Sequence, residues 1–147
     1  MKTKVLFVCI HNSARSQMAE AFMNRYCSDQ YEVQSAGLEP GTLNPLVVEA
    51  MAEEGIDLAH AQTKSVAEMI ERGEQFDYII TVCDQTSAER CPVFPGSGSR
   101  VHWSFADPSQ FQGIHVEKLA AVRDVRDAIA QRVHEWCEEK NVAPHKR

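Results

Sequence analysis

The reactive chemistry of this chain concentrates near its start, in Cys9-Ile10-His11-Asn12-Ser13-Ala14-Arg15-Ser16. The segment has the form Cys, five residues, Arg, Ser. Cys9 as a thiolate is a nucleophile. A tight loop entering a helix turns successive backbone N–H groups inward, forming a nest for a tetrahedral oxyanion, and the same field favours the thiolate. Arg15 can grip two oxyanion oxygens in a bidentate fork that Lys cannot match. The Ser16 hydroxyl can hydrogen-bond the sulfur, and Asn12 can hold the loop through bonds to its own backbone. Ile10, His11, Asn12, Ser13, Ala14, Arg15 and Ser16 are therefore the expected oxyanion cradle. No nucleotide-binding GxxxxGK[ST] is present, and the loop contains no Gly. In isolation, a Cys and an Arg at this spacing describe a buried thiol and a surface charge equally well. Placement between a strand and a helix favours the chemical reading.

The flanking residues supply that placement. Val5-Leu6-Phe7-Val8 reads as a strand buried on both faces. From Ser16 to about Tyr26 the apolar positions Met18, Ala19, Phe22 and Met23 recur at helical spacing. Tyr31 to Ser35 reads as a second strand, and Asn44-Pro45 as a helix start closed by Gly55. A short helix is expected over Ser65 to Glu71, a third strand over Asp77 to Val82, and a brief fourth over Arg100 to Trp103. Residues 84 to 99 hold Pro92, Pro95, Gly96 and Gly98 and read as a mobile loop. Val122, Val125, Ile129, Val133 and Trp136 mark an amphipathic last helix from about Val116 to Glu139. The pattern predicts an α/β fold, a single-domain four-stranded parallel sheet flanked by helices. The catalytic domain is expected over 1–140, with a flexible basic tail over 141–147.

In such sheets, ligands bind beyond the carboxyl ends of the strands. Cys9, Cys83 and Cys91 all fall at or beyond such ends. Asp107-Pro108 follows the fourth strand. An Asp-Pro turn is common, but convergence of these loops makes Asp107 a candidate general acid.

Composition bounds the alternatives. The chain has 147 residues, 44% hydrophobic and 24% charged, with a formal net charge of −6. The negative balance argues against nucleic acid or an anionic membrane as partner. No apolar run approaches the ~20 residues of a membrane span. The run from Val5 to Ile10 is too short for a secretory signal core, so a soluble cytoplasmic protein is expected. The five cysteines are odd in number, and a chain with a full core needs no disulfide framework. Cys27 and Cys137 are read as packing residues. His60, His115, His134 and His145 are read as surface or loop residues.

These residues resemble the low-molecular-weight protein tyrosine phosphatase family, and more closely its thioredoxin-coupled arsenate reductase branch. The resemblance covers Val5 to Ala21, Ser35-Ala36-Gly37, Asn44-Pro45, Ala50-Met51 with Gly55-Ile56, Thr81-Val82-Cys83, Cys91-Pro92, and His102-Trp103 to Asp107-Pro108. Cys9-x5-Arg15-Ser16 alone marks the superfamily. The reductase branch is favoured by Gln17 where phosphatases usually carry Pro, by the presence of both Cys83 and Cys91, and by Ser109-Gln110 in place of a Tyr pair.

The resemblance implies reduction of arsenate to arsenite by a three-thiol relay. Cys9 attacks arsenate while Asp107 protonates the departing oxygen. Cys83 attacks the Cys9 sulfur and releases arsenite, and Cys91 then forms the Cys83–Cys91 disulfide that thioredoxin reduces. Residues 84 to 98 are expected to move on oxidation. Phosphate and sulfate are expected to compete with arsenate, and the protein is expected to be a monomer with no cofactor. Other members use a small thiol with glutaredoxin, the alternative reductant. Ala14 stands where many members carry a second loop Cys, and His11 where Gly is usual. Some relatives hold a potassium ion. Asn12, Glu20 and Ser35 match its ligands, but Ser65 replaces the expected carboxylate, and no metal is predicted.

The competing reading is a phosphatase hydrolysing phosphomonoesters through a Cys9 phosphoenzyme. It needs Cys9, Arg15 and Asp107 but neither Cys83 nor Cys91. Arsenate and phosphate share charge and shape, so weak phosphatase activity is expected of a reductase too. A zinc module built on Cys83, Cys91 and His102 is disfavoured, because no CxxC pair exists and a closed site normally needs four ligands.

Overall fold

The computed structural model describes residues 2–83, 91 and 98–142. Its four strands are β1 (Thr3–Cys9), β2 (Tyr31–Gly37), β3 (Tyr78–Thr81) and β4 (Ser99–His102). They form one sheet in the order β2-β1-β3-β4, and every neighbouring pair is parallel. Among the described residues the helices are α1 (Arg15–Cys27), α2 (Pro45–Ala52), α3 (Val66–Glu71) and α4 (His115–Val142). A single 3-10 turn spans Pro108–Gln110.

The expected fold class is the observed one, with element ends displaced by at most three residues. Asn44 caps α2, its side chain accepting from Leu46 N at 2.9 Å, and Pro45 takes the first helical position. Ser65 caps α3 and accepts from Glu68 N. Gly55 ends the α2 region with φ +76°, where a side chain would be strained. The last helix runs on through Val142, beyond the expected boundary at 140, and 143–147 lie outside the described residues. The expected mobile loop lies mostly outside them too.

Alternation along β1 divides the core. Val5, Phe7 and Cys9 face α1, α2 and α4, packing with Met18, Phe22, Val47, Val122 and Ile129. Leu6 and Val8 face the other way, toward Val66 and Met69 of α3, Phe76, Ile79 and Cys91. Cys83 belongs to the first cluster, so Cys83 and Cys91 pack into cores on opposite faces of the sheet. Trp103 is a core residue, tilted against Phe7 and edge-on to Trp136.

The reading of Cys27 and Cys137 as packing thiols is corrected. The two form a disulfide between the end of α1 and α4, with Cα atoms 6.1 Å apart. Both are buried, and the packing of α1 on α4 turns the two side chains toward each other.

The helical layer is also clamped electrostatically. Glu53, just past α2, takes Arg123 in a bidentate grip at 2.9 and 2.7 Å, and Arg126 Nη1 at 2.9 Å. The Arg123 bonds, with help from Arg126, lower the Glu53 carboxyl to about 2. A carboxyl lowered by folding contributes stability above its unfolded value of 4.5 and loses it as pH falls toward 2. Urea-unfolding midpoints from pH 5 to pH 2 therefore fall more steeply in the wild type than in Glu53→Gln. Equal slopes would show that the clamp carries none of the acid sensitivity.

Candidate active site

The anion-loop geometry follows from where its carbonyls go. Leu38 N donates to Cys9 O (3.1 Å), Glu39 N to Ile10 O (2.7 Å), Gly41 N to His11 O (3.0 Å) and Asn44 N to Ser13 O (3.0 Å). In a trans peptide the carbonyl and the following N–H point in opposite directions. Drawing these carbonyls outward thus turns the N–H groups of Ile10, His11, Asn12 and Ala14 inward. Asn12 N shows the result, reaching Cys9 Sγ at 3.2 Å. At Ala14, α1 begins with no side-chain cap, leaving first-turn N–H groups to face an anion.

Asn12 is the keystone of this loop. Its φ of +54° places it in the left-handed region that Asn tolerates better than most residues. Lys64 N (2.9 Å) and Gln17 Nε2 (3.2 Å) donate to its Oδ1. Its Nδ2 donates to Ser16 Oγ (2.7 Å) and Ser35 Oγ (3.0 Å). Because Ser16 Oγ accepts from Asn12, its own proton is available for Cys9 Sγ at 2.9 Å. Two donors therefore converge on a sulfur that is only 3% exposed.

Arg15 is also buried, at 5% exposure. Its Nη1 donates to Phe105 O at 3.2 Å, and its Nη2 lies 3.5 Å from Asp107 Oδ2. Asp107 is oriented in turn by Ser109, whose N and Oγ donate to its Oδ1 at 2.9 and 2.8 Å. The fork of Arg15 and the carboxyl of Asp107 thus sit together beside the loop. Phe105 contributes its carbonyl, a role its side chain does not announce.

His11 is exposed at the mouth, with Nδ1 2.8 Å from Glu39 O. Ile10 and Ser13 are half-buried. Cys83 is fully buried where the chain leaves β3, beside β1. Cys91 is buried on the α3 face, and burial pushes its thiol up, with Arg100 opposing. The structure therefore brings Cys9, Arg15, Ser16 and Asp107 together and places Cys91 on the opposite face of the sheet.

Two supports of the site were missed in the sequence. Gln17 bridges Asn12 to Gln62 O at 2.9 Å. Lys64 reaches Asn12 through its backbone, and its Nζ lies 3.8 Å from Glu20 Oε1. Only the Gln17 identity was a signal; residues 58–64 carry no periodic pattern. The same contacts bear on potassium. Glu20 accepts from Ser35 and already faces the Lys64 ammonium, while Ser65 is used as a helix cap. This donor set does not fit a potassium ion. Among the described residues no His, Cys, Asp and Glu cluster could hold a metal.

Gly37 allows the loop to close. A Cβ there would sit 2.8 Å from Asn12 N, His11 C and Ile10 O, all backbone atoms. Gly37→Ala should therefore lower stability by about 1–3 kcal/mol and weaken oxyanion inhibition about tenfold or more. Thermal melts and phosphate inhibition constants check both effects.

The comparisons with known proteins agree with this geometry. Residues 4–145 match the family described as low molecular weight phosphotyrosine protein phosphatase. An arsenate reductase of Bacillus subtilis strain 168 is 40% identical over 139 residues, 94% of this chain and 98% of the relative. A solved arsenate reductase from Archaeoglobus fulgidus superposes with TM-score 0.71 at 33% identity, covering 90% of this chain and 97% of that one. A thioredoxin-dependent arsenate reductase of Corynebacterium glutamicum superposes with TM-score 0.73 at 27% identity, covering 97% of this chain and 64% of that longer chain. Sequence, fold and loop geometry converge, and this chain belongs to the low molecular weight phosphotyrosine protein phosphatase family, grouping there with the arsenate reductases.

Proposed function

We propose that this protein reduces arsenate to arsenite and is regenerated by thioredoxin. The observation that carries the proposal is the Cys9 thiol beneath an inward-facing ring of N–H groups, with a second thiol, Cys83, at the same end of the neighbouring strand. Similarity to arsenate reductases along nearly the whole chain supports it.

Arsenate enters the cradle with its oxygens on the loop N–H groups and the Arg15 fork. The Cys9 thiolate attacks arsenic, and Asp107 gives a proton to the oxygen that departs as water. Cys83 attacks the Cys9 sulfur, forming a Cys9–Cys83 disulfide. The electron pair of the broken sulfur–arsenic bond stays on arsenic, which leaves as arsenite. Cys91 then attacks Cys83 and frees Cys9. Two thiols are oxidised as one arsenate is reduced.

This last exchange requires Cys91 to leave the α3 face, since bridged cysteines need Cα atoms within about 7 Å. Burial keeps Cys91 a protonated, poorly nucleophilic thiol until it leaves that face. Thioredoxin, or glutaredoxin with a small thiol, reduces the product disulfide, and the protein acts as a monomer. No helix among the described residues is long and apolar enough to cross a membrane, and we place the enzyme in the cytoplasm.

Hydrolysis of phosphomonoesters is the second reading. Phosphate fits the same cradle, so weak phosphatase activity accompanies reduction.

A single exposure to arsenate should consume two of the three thiols Cys9, Cys83 and Cys91, leaving Cys9 free and Cys83 joined to Cys91. Peptide mass mapping after alkylation reads this directly. Unchanged thiols in a protein that still cleaves an aryl phosphate would establish the phosphatase instead. Arg15→Lys should lower kcat/KM for arsenate by about 10²–10³-fold, measured by arsenite release.

A further inference from the structure

We propose that Cys27–Cys137 is a second two-electron couple of this protein, insulated from the catalytic thiols, which locks the helix carrying Arg15 to the C-terminal helix. Its insulation rests on the relay proposed above; the lock itself does not.

Position separates the two sets of sulfurs. Cys27 ends α1, and its carbonyl accepts from Gln30 N, just before β2 begins at Tyr31. Gln30 O in turn accepts from Thr3 N at the start of β1. The disulfide therefore lies at the amino end of the sheet. Cys9 and Cys83 lie at its carboxyl end, where β1 and β3 finish. Strand β1 is 7 residues long, which sets the two ends apart by about 20 Å. Thiol exchange needs direct sulfur contact, so the relay thiols cannot reach this pair in the folded protein.

Burial shields the pair from a protein reductant as well. Cys27 is 5% exposed and Cys137 3%. Nearby, Tyr26 stacks on Phe22 at 5.9 Å and meets His134 of α4 edge-on at 5.3 Å. In the relay proposed above Cys91 leaves its core to exchange, whereas Cys27 and Cys137 are each held in one of two packed helices.

The couple also has mechanical leverage. Its cysteines are 110 residues apart, so the closed loop includes all of the sheet except β1. Constraining so long a loop restricts the unfolded chain strongly. The lock grips one end of α1, whose other end presents Arg15 and Ser16. When the pair forms from thiols, a small-molecule disulfide is the oxidant. The Cys27 thiolate attacks it and displaces one small thiol; Cys137 attacks the mixed disulfide and displaces the second. The cysteine pair gives up two electrons and two protons, and the small disulfide becomes two thiols.

The test starts from fully reduced protein, refolded and treated with oxidised glutathione. Native thioredoxin, its reductase and NADPH follow, and the protein is then denatured, alkylated and mapped without arsenate. Expected is a Cys27–Cys137 linked peptide with label on Cys9, Cys83 and Cys91. Label on Cys27 and Cys137 would overturn the proposal. Retention of both disulfides, Cys27–Cys137 and Cys83–Cys91, would support the lock while counting against thioredoxin as reductant, so the two readings fail separately. The wild type carrying the Cys27–Cys137 bond should melt on the order of 10 °C above both its fully reduced form and Cys27→Ala/Cys137→Ala. Arsenate turnover well below the melting range should stay within about twofold in that variant. Equal melting temperatures would remove the lock.

Discussion

The active end of this molecule depends on the direction of a few peptide planes. Residues 38–44 take the carbonyls of Cys9, Ile10, His11 and Ser13 from outside. That leaves the opposing N–H groups no course but inward. Without those outer partners the loop could satisfy its carbonyls by other turns, and the oxyanion nest would dissolve into an ordinary strand–helix connection. Gly37 makes the arrangement possible, because the parallel pairing of β1 and β2 brings it under the loop with no room for a Cβ. Asn12 then fixes the one left-handed residue by serving four partners with a single amide. The nucleophile sits in a field built almost wholly from backbone and neutral side chains, with Arg15 supplying the local positive charge that a chain of net charge −6 lacks overall.

Much of this was legible because it is local. A buried strand, a Cys-x5-Arg-Ser turn and an amphipathic helix occur within some twenty contiguous residues, and the Asn44 cap and Gly55 stop are equally short-range signals. What stayed hidden is held together by distance along the chain. Lys64 reaches Asn12 across 52 residues, and Cys137 reaches Cys27 across 110. No periodicity encodes either contact. Each apolar face of α1 and α4 could be read, but not which part of one meets the other. The odd cysteine count misled for a similar reason. It suggested reduced thiols throughout, whereas the chain divides into one pair and three thiols.

The sheet is also a partition in the redox chemistry. Cys9 and Cys83 belong to the core beneath α1 and α4, and Cys91 to the core beneath α3. In the relay proposed above, Cys83 therefore starts on the side of Cys9, and Cys91 starts across the sheet from both. The Cys91 thiol is also quieted by burial, which pushes it up against the opposing Arg100 charge.

A relay of this kind asks opposite things of two parts of one small domain. The cradle must hold its N–H groups within a fraction of an ångström through each turnover, while the exchange proposed above must take the Cys91 sulfur from one core to the other. The directional interactions are distributed accordingly. The Asn12 network, the Glu53–Arg123–Arg126 clamp and the Cys27–Cys137 bond all tie down α1, α2 and α4. Cys91, by contrast, packs among Leu6, Val8, Met69 and Ile79 on the α3 face of the sheet, away from these three ties. Stiffness therefore accumulates around the oxyanion cradle, and the relay proposed above asks only Cys91 to exchange one core for the other.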